Sequence, residues 1–218
     1  AYYADGTLQS LTNKTASGAV IDTYAYTYDA AKNQLTKTET VSGEDRGTTA
    51  YTYDSVNRLK TVTDPQGKVT AYTYDKAGNR QSETLTESGI VVSQTLYTYN
   101  EQERLLSSVQ TAGDITKKLS YQYDYNGNMI SRTQELFMPD TGAEAAEKLS
   151  LLGVDDPEDV VTVYEYNVFN QMVKAYNGSD ITTHTYNGEG VRVQKTVNNE
   201  TCNYLYEYDK IVLQTDGS

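Results

Sequence analysis

The sequence of 218 residues is short of the side chains on which catalytic, metal-binding and disulfide-bonded proteins depend. It contains one cysteine, Cys202, which excludes an internal disulfide framework and a zinc site built from several cysteines. Its one histidine, His184, stands at a position where neighbouring segments of similar sequence carry tyrosine, so we interpret it as a substituted ring on a sheet face rather than as a general base. We therefore predict that the chain is not an enzyme and needs no cofactor.

Positive charge and long apolar runs are also scarce. The chain has 18 Lys and Arg against 30 Asp and Glu, a formal net charge of −12. This balance argues against a nucleic acid or an anionic membrane as the partner, since either requires a basic face. No segment approaches the roughly 18 apolar residues of a membrane span, so we predict no membrane insertion. The first residues, AYYADG, lack the features of a signal peptide, and we expect the chain to be part of a longer protein because it begins and ends inside a repeat pattern.

Tyrosine is the abundant side chain. It occurs 21 times, while the mean hydropathy is only −0.66. A tyrosine ring buries apolar area while its hydroxyl reaches water or a polar partner. This composition favours a thin sheet with little deep core.

The tyrosines recur in one short unit, which is clearest in the segment VTAYTYDKAGNR from Val69 to Arg80. Tyr72 and Tyr74 are two residues apart, so in a strand they point to the same face. Asp75 then favours a turn, because its carboxylate accepts hydrogen bonds from backbone groups that follow it. The unit is therefore predicted to be a strand, an Asx (Asp or Asn) turn and a second strand.

Copies of this unit follow one another along the chain. The second aromatic residue recurs at steps of 20 to 25 residues, with one step of 43, which is the period of a repeat array. An Asp or Asn generally follows it, and His184 precedes Tyr186 where the other copies have a first tyrosine. We predict that the repeat motif consists of Tyr26, Tyr28, Asp29, Tyr51, Tyr53, Asp54, Leu59, Tyr72, Tyr74, Asp75, Gly78, Tyr97, Tyr99, Asn100, Leu105, Tyr121, Tyr123, Asp124, Gly127, Tyr164, Tyr166, Asn167, Tyr186, Asn187, Tyr204 and Tyr206.

Each Asx residue is followed, five positions later, by a residue that opens an alternating return strand. These return strands are predicted to start at Gln34, Leu59, Arg80, Leu105, Met129, Met172 and Arg192. They end at Gly-, Asn- or Pro-rich turns such as Ser42–Gly43 and Asp64–Gly67. The fold class is therefore predicted to be all-β, an array of antiparallel β-hairpin repeats that forms a curved or spiralling sheet. We treat residues 1–218 as a single array.

The step of 43 residues contains one foreign segment, from about Glu135 to Val160. Asp140 or Thr141 can cap a helix of roughly ten residues with the sequence AEAAEKLSLL, and Gly153 can end it. We predict a short helical insertion at about 135–160 that packs over the sheet. A capping or partner-docking role is the alternative.

The residues are compatible with two kinds of binding, of a cation and of a carbohydrate. The repeated Asp and Asn could hold calcium, but they occur once per repeat rather than in dense ladders, so turn formation is favoured. The acidic run Asp155, Asp156, Glu158 and Asp159 is interpreted as a solvated loop, with a weak cation site as the alternative. Rows of tyrosines could stack on carbohydrate, or they could form the packing surface of the sheet itself.

The copies YTYDSVNRL, YTYDKAGNR, YTYNEQERL and YQYDYNGNM resemble the tyrosine-aspartate (YD) repeats of the RHS family, and the resemblance covers nearly the whole chain outside the inserted segment. It implies a strip of antiparallel strands that spirals into a hollow shell. In bacterial members, including insecticidal toxin complexes and polymorphic toxins, such a shell holds a C-terminal toxin, and in teneurins a similar shell serves adhesion at the cell surface.

From the resemblance we expect a structural scaffold segment that encapsulates or presents a toxin or effector domain in a larger secreted or surface protein. The expected partners are further repeats, a core region and a C-terminal effector domain of its own polypeptide, with a carbohydrate or cell-surface ligand as a further possibility. The alternative function is a cell-surface adhesion or carbohydrate-binding module that uses rows of tyrosines. The paired aspartates with which bacterial members cut themselves have no counterpart that can be assigned in this sequence.

Overall fold

The computed structural model describes residues 1–138, 149, 151–153, 160–207 and 210–216. Within these ranges it contains seventeen β-strands. The chain divides into two compact units, one made of Ala1–Tyr97 with Gln110–Gly113 and the other of Thr98–Val109 with Asp114–Ser218. Each unit is an array of antiparallel strands in chain order, which confirms the predicted all-β hairpin array.

In the first unit each strand pairs antiparallel with the next one along the chain. Its strands are β1 (Ser10–Lys14), β2 (Val20–Tyr28), β3 (Gln34–Val41), β4 (Glu44–Tyr53), β5 (Leu59–Thr63), β6 (Val69–Tyr74), β7 (Arg80–Glu87) and β8 (Ile90–Tyr99, through Tyr97). The N-terminal residues add a short bridge between Tyr2 and Leu8. Strand β9 (Leu105–Ala112) is divided between the two units, with its residues through Val109 in the second and those from Gln110 in the first.

In the second unit the same sequential antiparallel pairing holds from β10 to β17. Its strands are β10 (Ile115–Tyr123), β11 (Met129–Phe137), β12 (Val160–Tyr166), β13 (Met172–Asn177), β14 (Asp180–Tyr186), β15 (Arg192–Val197), β16 (Glu200–Glu207) and β17 (Lys210–Asp216). In both units the return strands begin at the residues that the repeat spacing predicts.

A β-bulge recurs in the hairpins at the second tyrosine. Tyr74 pairs with Arg80 while Thr73 pairs with Ser82, so one residue of the return strand has no partner. The same shift occurs before Tyr28, Tyr53, Tyr123 and Tyr166. A bulge increases the local twist of a strand pair, and its regular recurrence is therefore part of the repeat. The sequence pattern did not predict it.

Few of the described residues are deeply buried, as the tyrosine-rich composition predicts. Among the described residues the fully buried apolar side chains are Ala112, Ile115 and Leu152. Most strand side chains are half-buried, and the tyrosines of the motif belong to this class.

Most of the predicted helical insertion lies outside the described residues. Leu149 and Leu151 are helical, and Leu152 is buried. Gly153 has a φ of +59°, a conformation that suits a helix end. The Nζ atom of Lys117 donates a hydrogen bond of 2.7 Å to the carbonyl of Leu152. No helix in the described part of the chain is long and apolar enough to cross a membrane.

Candidate functional site: the tyrosine and Asx edge of the repeats

In the described part of the chain, seven loops of five residues connect strands that end in the second aromatic residue of the motif with their return strands. We number them loop 1 (29–33), loop 2 (54–58), loop 3 (75–79), loop 4 (100–104), loop 5 (124–128), loop 6 (167–171) and loop 7 (187–191). Each begins with Asp or Asn, as the sequence pattern predicts.

The backbone of these loops is nearly identical from copy to copy. The first residue donates its N–H to the carbonyl of the fifth at 2.9–3.0 Å, and the fourth donates to the carbonyl of the first at 3.0–3.2 Å. The fourth residue has a positive φ between 58° and 101° in all seven loops. Glycine adopts this conformation without strain, and Gly78 and Gly127 stand there in loops 3 and 5.

The Asx side chain stabilises the loop that it opens. Its Oδ1 atom accepts a hydrogen bond of 2.8–3.1 Å from the N–H of the fifth residue in every loop. In loop 3 the side-chain amide of Asn79 adds a bond to Oδ2 of Asp75. The hydrogen bonds from Asn79 lower the pKa of Asp75 below its ordinary value, and those from the backbone and side chain of Arg58 do the same for Asp54.

In six of the repeats the second tyrosine bonds to the preceding repeat. Its hydroxyl donates to the backbone carbonyl of the residue that opens the previous return strand, at 2.7–3.1 Å. The pairs are Tyr53 with Gln34, Tyr74 with Leu59, Tyr123 with Leu105, Tyr166 with Met129, Tyr186 with Met172 and Tyr206 with Arg192. Because the ring spans from one hairpin to the one before it, it links neighbouring repeats.

The first aromatic residue lies on the same face. Cationic side chains cover two of these rings, since Arg80 lies 4.5 Å from the centroid of Tyr72 and Arg192 lies 5.3 Å from that of Tyr204. The structure places Tyr26, Tyr51, Tyr97, Tyr121 and Tyr164 in the corresponding half-buried positions. Tyr28, a second aromatic residue of the motif, forms an edge-on ring contact with Tyr3, with the ring centroids 6.3 Å apart.

The residue between the two tyrosines faces the opposite side and is exposed. Its hydroxyl bonds across to the return strand, as in Thr27 to Thr36 at 2.6 Å, Thr52 to Thr61 at 2.6 Å and Thr73 to Ser82 at 2.6 Å. Such cross-strand pairs contribute about 0.2 to 1 kcal/mol each. Both faces of the strand therefore carry contacts that hold the sheet together.

Sequence reasoning missed the fifth residue of the loops, which contacts the next repeat. The guanidinium of Arg58 lies 4.6 Å from the ring centroid of Tyr74, and its Nη1 lies 3.3 Å from the carbonyl oxygen of Asp75. Asn33 uses its amide instead, which donates to Oδ1 of Asn57 at 2.9 Å. The available signal was the recurrence of Arg or Asn four residues after the Asx residue.

The other candidate residues have structural environments. His184 is buried, and its Nδ1 lies 3.2 Å from the carbonyl oxygen of Met172. Cys202 lies within β16 and is half-buried. In the described part of the chain, no three His, Cys, Asp or Glu side chains cluster closely enough to hold a metal ion. The acidic run from Asp155 to Asp159 lies outside the described residues.

The fold and this edge define a class of protein, an array of antiparallel hairpins whose tyrosine and Asx side chains close each loop and link it to its neighbour. The model of one family, described as RHS Repeat, matches residues 53–91 of this chain. The predicted resemblance of the tyrosine-aspartate copies to the RHS family is confirmed for these residues. No curated protein matches the chain.

Solved structures similar to this chain include one titled TcdB2-TccC3-TEV, with 15% identity and a TM-score of 0.47 over 99% of this chain and 14% of the other. A second, titled TcdB2-TccC3-Cdc42, has 14% identity and a TM-score of 0.38 over 95% of this chain and 15% of the other. A porin-like protein from Bacteroides uniformis has 12% identity and a TM-score of 0.42 over 89% of this chain and 86% of the other. The chain thus spans about one seventh of the first two.

Proposed function

We propose that this chain is a scaffold segment of a YD-repeat shell, which encapsulates or presents a toxin or effector domain within a larger secreted or surface protein. Its partners are then the further repeats, the core region and the effector domain of its own polypeptide. The chain performs no catalysis in this role. The part it plays is mechanical, because the repeats form a wall.

The observation that carries the proposal is the use of the motif tyrosine. Its hydroxyl bonds to the backbone of the preceding repeat at 2.7–3.1 Å, and its ring is half-buried. A side chain that holds two repeats together is not presented to a ligand. In repeat arrays the interface between neighbours supplies a large share of the stability, so a motif devoted to that interface supports a structural role.

The experiment is limited proteolysis of the parent polypeptide, compared with a variant from which residues 1–218 are deleted. We expect the segment that follows the repeats to resist cleavage in the intact polypeptide and to be cut rapidly in the deletion variant. Mass spectrometry of the fragments locates the cleavage sites. A second deletion of equal length elsewhere in the parent controls for general unfolding.

Three outcomes contradict the proposal. Equal cleavage of the following segment with and without residues 1–218 excludes encapsulation by this part of the chain. A parent that carries only further repeats and a surface anchor has no cargo, and it favours the adhesion module instead. Binding of a carbohydrate to the tyrosine face without any effect of tyrosine substitution on stability also favours that module.

A further inference from the structure

Arg58, the last residue of loop 2, occupies the gap between loop 2 and loop 3. The Nε of Arg58 donates to Oδ2 of Asp54 at 2.7 Å, and its guanidinium lies over the ring of Tyr74. Its Nη1 donates to the carbonyl of Asp75, which already accepts the N–H of Gly78 at 3.2 Å. A carbonyl oxygen has two lone pairs, so both bonds form together.

The second unit repeats this arrangement between loop 4 and loop 5. The guanidinium carbon of Arg104 lies 5.8 Å from the ring centroid of Tyr123, and Nη1 lies 3.4 Å from the carbonyl oxygen of Asp124. Its guanidinium also packs on Gly127, where a Cβ atom would lie 3.0 Å from Cζ. The two arginine slots therefore share a tyrosine ring and an Asx carbonyl, and in the second slot a glycine also adjoins the guanidinium.

Between loop 6 and loop 7 the same slot lacks its guanidinium. The fifth residue of loop 6 is Gln171, which takes the same direction, since a Cβ atom on Gly190 would lie 3.1 Å from its Nε2. The glutamine side chain is two bonds shorter than an arginine side chain measured to its terminal Nη atoms. Its Oε1 accepts a hydrogen bond of 2.7 Å from the side-chain amide of Asn167 in the same loop. A groove of about 610 Å³ remains between these loops.

The walls of this groove reproduce the arginine slot. They include Tyr186, whose hydroxyl is bonded to Met172 as in other repeats, and Asn187. The carbonyl of Asn187 accepts the N–H of Gly190 at 3.0 Å, which leaves its second lone pair for another donor. Phe169, 78% exposed, adds an apolar wall at the loop tip.

The charges around the groove favour a cation. Glu189 lines it, and the structure gives its carboxylate no ion pair within the described residues. His184 also lines the groove, and two positive groups lie near it. Arg192 lies over the ring of Tyr204, and Lys195 pairs with His184 across β14 and β15. Burial lowers the pKa of His184; the hydrogen bond with Met172 opposes this effect, and the charges of Arg192 and Lys195 add to it. The whole chain carries a net charge of −12.

We propose that this groove binds an arginine side chain supplied by a partner polypeptide. The guanidinium lies over Tyr186, donates to the carbonyl of Asn187 and pairs with Glu189, and it completes the contact that Arg58 and Arg104 make within the chain. Arginine suits the slot better than lysine because its planar group stacks on a ring while it donates sideways. The site is independent of whether the repeats enclose a cargo.

The test is a titration of the isotope-labelled 218-residue chain, followed by amide NMR shifts of loops 6 and 7. The probe is the blocked tripeptide Gly-Arg-Gly, and the comparison is the same peptide with citrulline, which has the same shape without the charge. We expect the arginine peptide to bind with a Kd of about 1 mM or somewhat weaker, since one stacked ion pair supplies little affinity. The citrulline peptide should bind at least several-fold more weakly.

Two variants sharpen the test. Gln171→Arg supplies the guanidinium from the chain itself, as loops 2 and 4 do, and should abolish binding without loss of folding. Glu189→Gln should weaken binding about threefold. Glu101→Gln, which removes an exposed carboxylate from loop 4 where Arg104 already occupies the slot, is the matched control and should change nothing.

The proposal is overturned if the citrulline peptide binds as tightly as the arginine peptide, or if Gln171→Arg leaves binding intact. It is also overturned if the arginine peptide causes no shifts up to its solubility limit. Shifts produced by N-acetylglucosamine but not by the arginine peptide would assign the groove to a neutral saccharide instead.

Discussion

The hairpins around Tyr74 and around Tyr186 have the same backbone but differ in the side chains between their loops. In both, the tyrosine hydroxyl bonds to the start of the previous return strand, at 2.7 Å for Tyr74 and 2.9 Å for Tyr186. Arg58 covers the ring of Tyr74, whereas Tyr186 faces an open groove. The tyrosine and the Asx loop therefore define the repeat, and the loop-to-loop contact varies without loss of the fold.

The largest expected effect comes from removal of the shared element. Tyr74→Ala loses the hydrogen bond to Leu59, the half-buried ring and the contact with Arg58, and it should lower the free energy of unfolding by about 3 kcal/mol. Tyr186→Ala lacks the arginine contact and should cost about 2 kcal/mol. Urea unfolding followed by tyrosine fluorescence measures both values.

Tyrosine-to-phenylalanine variants separate the ring from its hydroxyl. Tyr74→Phe and Tyr186→Phe keep the ring and should each cost about 1 kcal/mol, the net contribution of one hydrogen bond. If alanine and phenylalanine had equal effects at either position, the ring would contribute nothing to the interface. If alanine left stability unchanged, the tyrosine face would not be a packing surface.

An exchange of the fifth loop residues tests the difference between the two hairpins. Arg58→Gln makes loop 2 resemble loop 6, and it should cost about 1 kcal/mol because the stacking on Tyr74 and the pair with Asp54 are lost. Gln171→Arg makes the opposite change and should stabilise the second unit by about 0.5 kcal/mol. Thermal unfolding of the single variants and of the double variant, which should be additive, checks the exchange.

Opposite signs for the two substitutions are required if the slots are equivalent. A destabilising Gln171→Arg would mean that the groove between loops 6 and 7 does not have the geometry of the slot at loop 2. Asn79→Gln, which alters the fifth residue of loop 3 without creating a cation, provides a control for the loop itself.

Acid provides a third way to distinguish the two hairpins, because loops 2 and 3 begin with aspartate while loops 6 and 7 begin with asparagine. Hydrogen bonds lower the folded-state pKa of Asp54 and Asp75. A lowered carboxyl pKa gives stability that is present above the unfolded value of about 3.9 and is lost as the pH falls through the folded value. We expect the melting temperature to fall below about pH 4, and to fall less in Asp75→Asn.

The matched variant for the acid experiment is Asn187→Asp, which gives loop 7 the aspartate of loop 3. It should add acid sensitivity where the wild-type loop has none. An unchanged pH profile in both variants would show that the Asx side chains bond equally well in the charged and neutral forms.

The sequence predicts local structure well in this chain and contacts between repeats poorly. The starts of the return strands follow from the spacing of the Asx residues, because turn formation depends on neighbours in the chain. The partner of a tyrosine hydroxyl, such as Leu59 for Tyr74, lies fifteen residues away and is set by how hairpins stack. The repeat pattern shows that a tyrosine recurs at this position, but it does not show which backbone carbonyl accepts the hydrogen bond of its hydroxyl.

The same limit applies to the bulge and to the arginine slot. The side chains of Thr73 and Tyr74 point to opposite faces, as in any strand. The unpaired residue is visible only in the register of β6 against β7. Arg58 reads in the sequence as one polar turn residue among others. Its role depends on Tyr74 and Asp75, which the fold brings beside it from the next repeat.

The smallest expected effect concerns His184. It stands at the first aromatic position of its repeat, where the other hairpin has Tyr72. Burial lowers its folded-state pKa below the usual value near 6.5. The unfolded chain then takes up a proton first, so stability is full above about pH 6.5 and declines as the pH falls toward the folded pKa. His184→Tyr should abolish this decline between pH 7 and pH 5, and His184→Asn, which does not titrate either, should do the same with a lower overall stability. A decline of equal size in all three proteins would assign the pH dependence to other groups, and it would mean that the buried ring is protonated as readily as a free one.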